Sequence, residues 1–363
     1  MSTRLGDVTP HTSLPWLFSC RIDLLTFLGS AAIALGLLIA GIPFGLTDHD
    51  TPDWLWVGAV LMIDVAHVYA TGFRVYFDRR ELRRRPWLYG LTPVLAFLLG
   101  WAVHSENPIW FWRILAYLAV FHFVRQQYGW VALYRSRERD FDRTSWWIDT
   151  AAIYFATIYP LIYWHAHLPR RFWWFLPGDF SEIPIVVAWA MMPFYWAAMV
   201  VYVGHCLYRG FVHGVWNPGK DVVVATTAVC WYVGIITFNS DYAFTVTNVI
   251  IHGLPYMVLV YFYWNRPGEA RTIGMGAGLP LFLGVVWALA FLEEWMWDCG
   301  VWHERRWLFG TPWHLGVFGS VLAPLLAVPQ ITHYVLDGFI WRRKTNRDFA
   351  TLVNAQPTNV RSH

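Results

Sequence analysis

Apolar runs of about 20 residues recur along almost the whole of this 363-residue chain, and no other feature narrows its fold so far. At about 1.5 Å per residue, such a run crosses the ~30 Å hydrocarbon core of a bilayer as one α-helix. Inside that core every backbone N–H and C=O must be bonded within the chain, which leaves only helices or closed barrels. The runs are continuous and do not alternate, so they read as helices. They cover approximately 24–46, 54–77, 87–103, 109–134, 146–165, 184–208, 222–238, 244–264, 277–297 and 314–341. The expectation is an all-α, polytopic integral membrane helical bundle of about ten transmembrane helices. One membrane domain, 24–341, lies between a segment 1–23 and a basic tail 342–363 that is expected to be disordered. The first run follows a polar stretch and exceeds the length of a signal-peptide core, so it counts as a helix of the bundle.

The connections are short and polar, with no room for a soluble domain, and no internal repeat is visible. Charge orients the bundle. With an even number of crossings, twenty Lys and Arg fall on the side of both termini and four, Arg170, Arg171, Arg305 and Arg306, on the other. The positive-inside rule then places the N- and C-termini in the cytoplasm, which for such a protein points to a bacterial inner membrane. The basic residues sit in separate loops and form no continuous stripe, which argues against a nucleic-acid partner. Tryptophans such as Trp54, Trp56, Trp110, Trp112, Trp173, Trp174, Trp295, Trp297 and Trp313 read as an interfacial belt on the outer side. Cys20, Cys206, Cys230 and Cys299 have no CxxC spacing, so neither a disulfide framework nor a zinc ribbon is indicated.

Only 14% of the residues are charged, against about 25% in a soluble domain, so polar groups inside the spans stand out. Each is costly in hydrocarbon and is a functional candidate by default. They fall on four helices, at spacings of three, four and seven that share a helical face. One stripe joins His67, Thr71 and Arg74, a second His122, Arg125 and Gln126, a third Asn248, His252 and Tyr256, and a fourth Gln330, His333 and Asp337. Counted along their helices, His67, His122 and His333 reach similar depths past the midplane, with His252 somewhat higher. The remaining histidines fall at interfaces or in loops and receive no chemical role. Glu293 and Glu294, with Asp298, Glu304, Arg305 and Arg306, read as a solvated ion-pair cluster at the outer surface.

Neutral imidazole is the commonest ligand for transition metals, and helical bundles build metal sites from inward histidines on facing helices. The expected ligands are therefore His67, His122, His252 and His333, with iron preferred and another transition metal as the alternative. Asp337, one turn from His333, is expected to orient that ring, and Arg125, Gln126 and Tyr256 to support the reaction around it. The favoured function is oxidation of a lipid or isoprenoid, a hydrophobic substrate delivered by membrane lipids. An electron-donor protein would dock at the basic cytoplasmic face. In architecture this arrangement is similar to polytopic membrane oxygenases such as the Brp/Blh carotenoid-cleaving dioxygenases, in which histidines on separate helices hold iron. The likeness is confined to a histidine cluster in a bundle. The chain lacks the HxxxH pair associated with that family, and the HxxxH and HxxHH boxes of membrane desaturases, so membership of neither is implied.

Three other readings stand beside it. Pairs such as His67 with His122 or His252 with His333 would serve as axial ligands of haem. Asn248, His252 and Gly253 are faintly similar to membrane-bound O-acyltransferases, in which an intramembrane His acts as base. A proton-coupled transporter would use His and Asp as a relay, and Pro324 and Pro329 permit a kink beside His333.

Overall fold

The computed structural model describes residues 14–265 and 275–342. Among them there is no strand, and ten long helical segments succeed one another close to the ten expected runs. We label them α1 (Cys20–Phe44), α2 (Asp53–Tyr76), α3 (Pro86–Glu106), α4 (Pro108–Glu138), α5 (Arg143–Ala166), α6 (Ile185–His213), α7 (Pro218–Thr237), α8 (Asp241–Trp264), α9 (Gly278–Trp302) and α10 (Gly319–Ile340). Eight of these are long and apolar enough to cross a membrane. The other two, α4 and α5, have 31 and 24 residues and carry more polar side chains, turned toward neighbouring helices. Residues 1–13, the 266–271 part of one basic loop, and the tail beyond 342 lie outside the described residues.

Local chemistry explains the helix starts. Ser19, Asn107, Asp142, Asn217 and Ser240 each accept a bond from a backbone N–H of the first turn. Pro86, Pro108 and Pro218 occupy first-turn positions, where a missing N–H is harmless. Proline also breaks α10, which ends one stretch at Leu326 and resumes at Val328 with Pro329 in its first turn.

Burial ranks the helices. The membrane window of α8 is 89% buried and that of α2 56%, whereas those of α3 and α6 are 17% buried. So α8 forms the centre, with α1, α2, α4 and α7 around it, while α3 and α6 lie at the periphery. Two glycines let the central helices close up. A Cβ on Gly234 would collide with Thr247 Oγ1, and one on Gly253 would sit 2.7 Å from Ile63 Cγ2 and 3.1 Å from the Ile63 carbonyl oxygen. The second contact includes backbone and cannot be relieved by a side-chain rotation. Several helices also widen into π-helical stretches: 56–65 and 72–76 in α2, 232–237 in α7, 245–249 in α8 and 298–302 in α9. Each wide turn inserts residues into the register and rotates the later turns of its helix.

The aromatic belt is only partly a belt. Trp54, Trp110 and Trp173 are exposed, but Trp56, Trp112 and Trp297 are buried. Trp112 and Trp297 pack against Trp302 with ring centroids 5.1 and 5.6 Å apart, closing one end of the bundle. The acidic residues nearby are likewise only partly a solvated cluster, with Glu304 exposed and paired to Arg305 at 2.9 Å. Glu293 and Glu294 are buried, and Glu293 Oε1 accepts the Trp297 indole N–H at 3.0 Å. Asp298 accepts the backbone N–H groups of Glu304 and Arg305, folding the chain back after α9.

At the basic end a buried ion network ties four helices together. Asp149 of α5 takes Lys220 of α7 at 2.9 Å and Arg135 of α4 at 2.5 Å. Arg135 also meets Asp140, which shares Arg209 of α6 with Glu138. Removing one member of a buried pair leaves its partner charged without compensation, at a cost of about 3–5 kcal/mol. Asp149→Ala is therefore expected to lower the unfolding midpoint in detergent sharply without removing any histidine of the bundle centre. An unchanged midpoint would mean that the network does not hold α4, α5 and α7 together.

Candidate metal centre

The four striped helices converge. His67 is on the α-helical stretch 66–71 of α2, bracketed by its two π-helical stretches. His252 lies just beyond the π-helical stretch of α8, and His122 and His333 lie on α4 and on the second part of α10. All four rings are buried, with 0–3% exposure. His67 Nε2 lies 3.2 Å from His252 Nε2, and His333 Nε2 lies 3.1 Å from His122 Nε2. Ring centroids of His67 and His333 are 4.9 Å apart and those of His122 and His252 5.0 Å, so the two pairs face one another.

The outer nitrogens decide which tautomer each ring adopts. His333 Nδ1 is 2.7 Å from Thr71 Oγ1, Thr71 Oγ1 is 3.1 Å from the Tyr256 hydroxyl, and Tyr256 donates to Asp337 Oδ1 at 2.7 Å. Because Tyr256 uses its proton on the carboxylate, Thr71 donates to Tyr256 and accepts from His333 Nδ1–H. That leaves the His333 Nε2 lone pair aimed at the centre. His122 Nδ1 lies 3.7 Å from Asp337 Oδ2, and His67 Nδ1 lies 3.6 Å from Asp64 Oδ1. Both are longer than a hydrogen bond, yet they set carboxylates behind the rings. His252 is held differently, by the Phe123 ring stacked on it with centroids 3.5 Å apart.

At 3.1–3.2 Å the two Nε2 atoms of each pair are close enough to share either a proton or a cation. Two imidazole nitrogens sharing an ion at about 2.0–2.1 Å would be roughly 3–3.4 Å apart, which matches this spacing. His67, His122 and His333 offer ligand atoms that all lie within 4.8 Å of one another, and this buried triad can hold a metal ion. His252 adjoins it through His67.

The supporting residues are distributed otherwise than their stripes imply. Asp337 stands beside His122, because Thr71 has taken the His333 nitrogen it was expected to orient. Tyr256 joins the site as the link between Thr71 and Asp337. Gln126 donates to the His252 carbonyl oxygen at 2.7 Å, fixing α4 to α8 without presenting an amide to the centre. Arg125 is exposed, bonds the Tyr154 hydroxyl and covers the Tyr128 ring, so it is not brought to the site. Arg74 is buried but meets Glu81 at 3.1 Å and the Ile340 carbonyl at 2.8 Å, anchoring the basic ends of α2 and α10. Asn248 bonds Thr247 and the Phe244 carbonyl, for the wide turn at 245–249 carries it off the His252 face. Tyr334, which no spacing singled out, stacks on His122 with centroids 4.8 Å apart. Its only sequence signal is adjacency to His333.

No protein-family model, no curated protein and no solved structure matches the chain. The chemistry of the centre therefore rests on its own residues.

If His122 and His333 are ligands, His122→Ala and His333→Ala should each abolish bound metal while the protein still inserts and folds, and full metal occupancy in both would remove them from the ligand set. Thr71→Val, which takes away the hydrogen bond behind His333 and the one to Tyr256, should weaken metal affinity by about 10–100-fold in a chelator competition.

Proposed function

We propose that the protein is a membrane-embedded non-haem metal enzyme, with iron the preferred ion, that oxidises a lipid or isoprenoid with dioxygen. The observation that carries this reading is the buried triad His67, His122 and His333, whose ligand atoms all lie within 4.8 Å of one another, with His252 Nε2 3.2 Å from His67 Nε2. An iron ion held there would supply one-electron chemistry and dioxygen activation. The chain supplies the rest. His67, His122 and His333 hold the ion, with His252 as a fourth donor. Thr71 and Tyr256 keep a proton on His333 Nδ1 and hand the end of their hydrogen-bonded chain to Asp337, which also accepts the Trp341 indole N–H at 3.1 Å. The surrounding Phe123, Tyr334 and Tyr256 rings keep water from the reacting point.

The same arrangement favours a bare ion over haem. His67 and His122 stack nearly parallel at 6.2 Å, but His252 and His333 stand edge-on to both, in the plane that a porphyrin between them would need. Acyl transfer by His252 alone leaves the other three histidines without a task. Hydroxylation or desaturation by dioxygen takes two further electrons, which a donor protein at the basic face would deliver; dioxygenation takes none. A second reading has one observation in its favour. Asp64, Glu293 and Glu294 place carboxylates between the histidines and the end of α9, as a proton-coupled transporter would.

The deciding measurement is metal analysis with an absorption spectrum on detergent-purified protein. Stoichiometric iron without a Soret band is expected, and a Soret band would favour haem instead. A folded, metal-free protein would overturn the metal-enzyme reading and leave acyl transfer or transport, the latter shown by uptake into vesicles without oxidant.

A further inference from the structure

Beside the histidines a cavity of about 380 Å³ lies between α3, α4 and α10, within the range of about 300–1,000 Å³ usual for small-molecule sites. Its wall has no charged side chain, and its one hydroxyl, on Thr92, already donates to the Leu88 carbonyl at 2.6 Å. The floor is buried, with Leu115 at 1% and Ala96 at 6% exposure, while Leu99 at the rim is 64% exposed on a helix apolar enough to span the bilayer. The opening therefore faces lipid, and an occupant needs no polar group inside.

The position of this cavity on α4 matters most. Phe111, Leu115 and Leu118 line it at intervals of four and three, and four residues further along the same face comes His122. One helical stripe thus runs from the cavity wall into the metal centre, about 6 Å beyond Leu118. On α10, Ile331 and Val335 line the cavity while His333, half a turn away, faces Thr71 and His122. Tyr334 stacks on His122 and packs against the cluster that contains Phe111 and Leu115 of the cavity wall.

We infer that this cavity binds an apolar hydrocarbon chain drawn laterally from the bilayer and directs it along α4 toward His122. Its role as the substrate's chamber rests on the enzyme reading; the binding itself does not. An acyl chain and an isoprenoid share this chemistry, and the test separates them.

The probe is hexadecane carrying a mid-chain diazirine, photolysed with the purified full-length protein in lipid nanodiscs and mapped by mass spectrometry. Labels are expected on Leu118, Ile331 and Val335, saturable with probe concentration. Competition by unlabelled hexadecane identifies an acyl-type chain, and stronger competition by squalene an isoprenoid. Ala96→Phe, which fills the floor, and Val335→Trp, which enters from the lipid side, should each lose the competed labelling and keep their metal content. Labelling that never saturates and spreads equally over outward residues such as Leu98, Phe121 and Val200 would mean annular lipid only and would overturn the inference. Retained competed labelling in both variants would do the same. Competed labelling on a protein that holds no metal would sustain the chamber while the enzyme reading fails, and bound iron with annular labelling would do the reverse.

Discussion

Four buried imidazoles from four helices, paired with their Nε2 atoms 3.1–3.2 Å apart, are the constraint on which the rest of this structure depends. Such an arrangement is costly for the rings alone, since each inner nitrogen has left water and has only another imidazole as its partner. It becomes favourable when a cation occupies the shared point, and the surrounding groups are arranged for that case. Thr71 accepts from His333, and Asp337 and Asp64 stand behind His122 and His67. On His333 the proton is thereby held at the outer nitrogen and the inner one left free to ligate.

The backbone is adapted to the same end. An α-helix of constant pitch through α2 or α8 would carry the stripes read from their spacing. The π-helical stretches at 56–65, 72–76 and 245–249 instead rotate the flanking turns, so that His67 and His252 meet while Arg74 and Asn248 turn elsewhere. Gly253 permits this meeting by letting α8 touch the backbone of α2 at Ile63. Wide turns of this kind are commonly found at functional sites because they sacrifice regular packing to re-aim a side chain.

Polar groups in the bundle fall into three levels with different work. The network around Asp149, Lys220 and Arg135 joins helices at the basic end. The central level is the buried histidine cluster, which can hold a metal ion. Beyond it, Glu293 and the stacked Trp112, Trp297 and Trp302 close the opposite end. The apolar cavity enters from the side, between α3 and α10, where none of these levels obstructs it.

By itself the sequence determined the helical class, the ten segments and the four histidines that meet. Hydrocarbon-length apolar runs admit one kind of backbone, and an intramembrane imidazole is too costly to be incidental. The partners of those histidines were decided only by tertiary structure. Helical spacing assigned Asp337 to His333 and Arg125 to the site, but it records which residues share a face and not which neighbour the face meets. Thr71, from a helix more than 250 positions away, claims His333 and leaves Asp337 to His122, while Arg125 turns outward to Tyr154. The burial of Glu293, Trp112 and Trp297 was hidden for the same reason, since a polar or aromatic residue near a helix end reads as interfacial until another helix is seen to cover it.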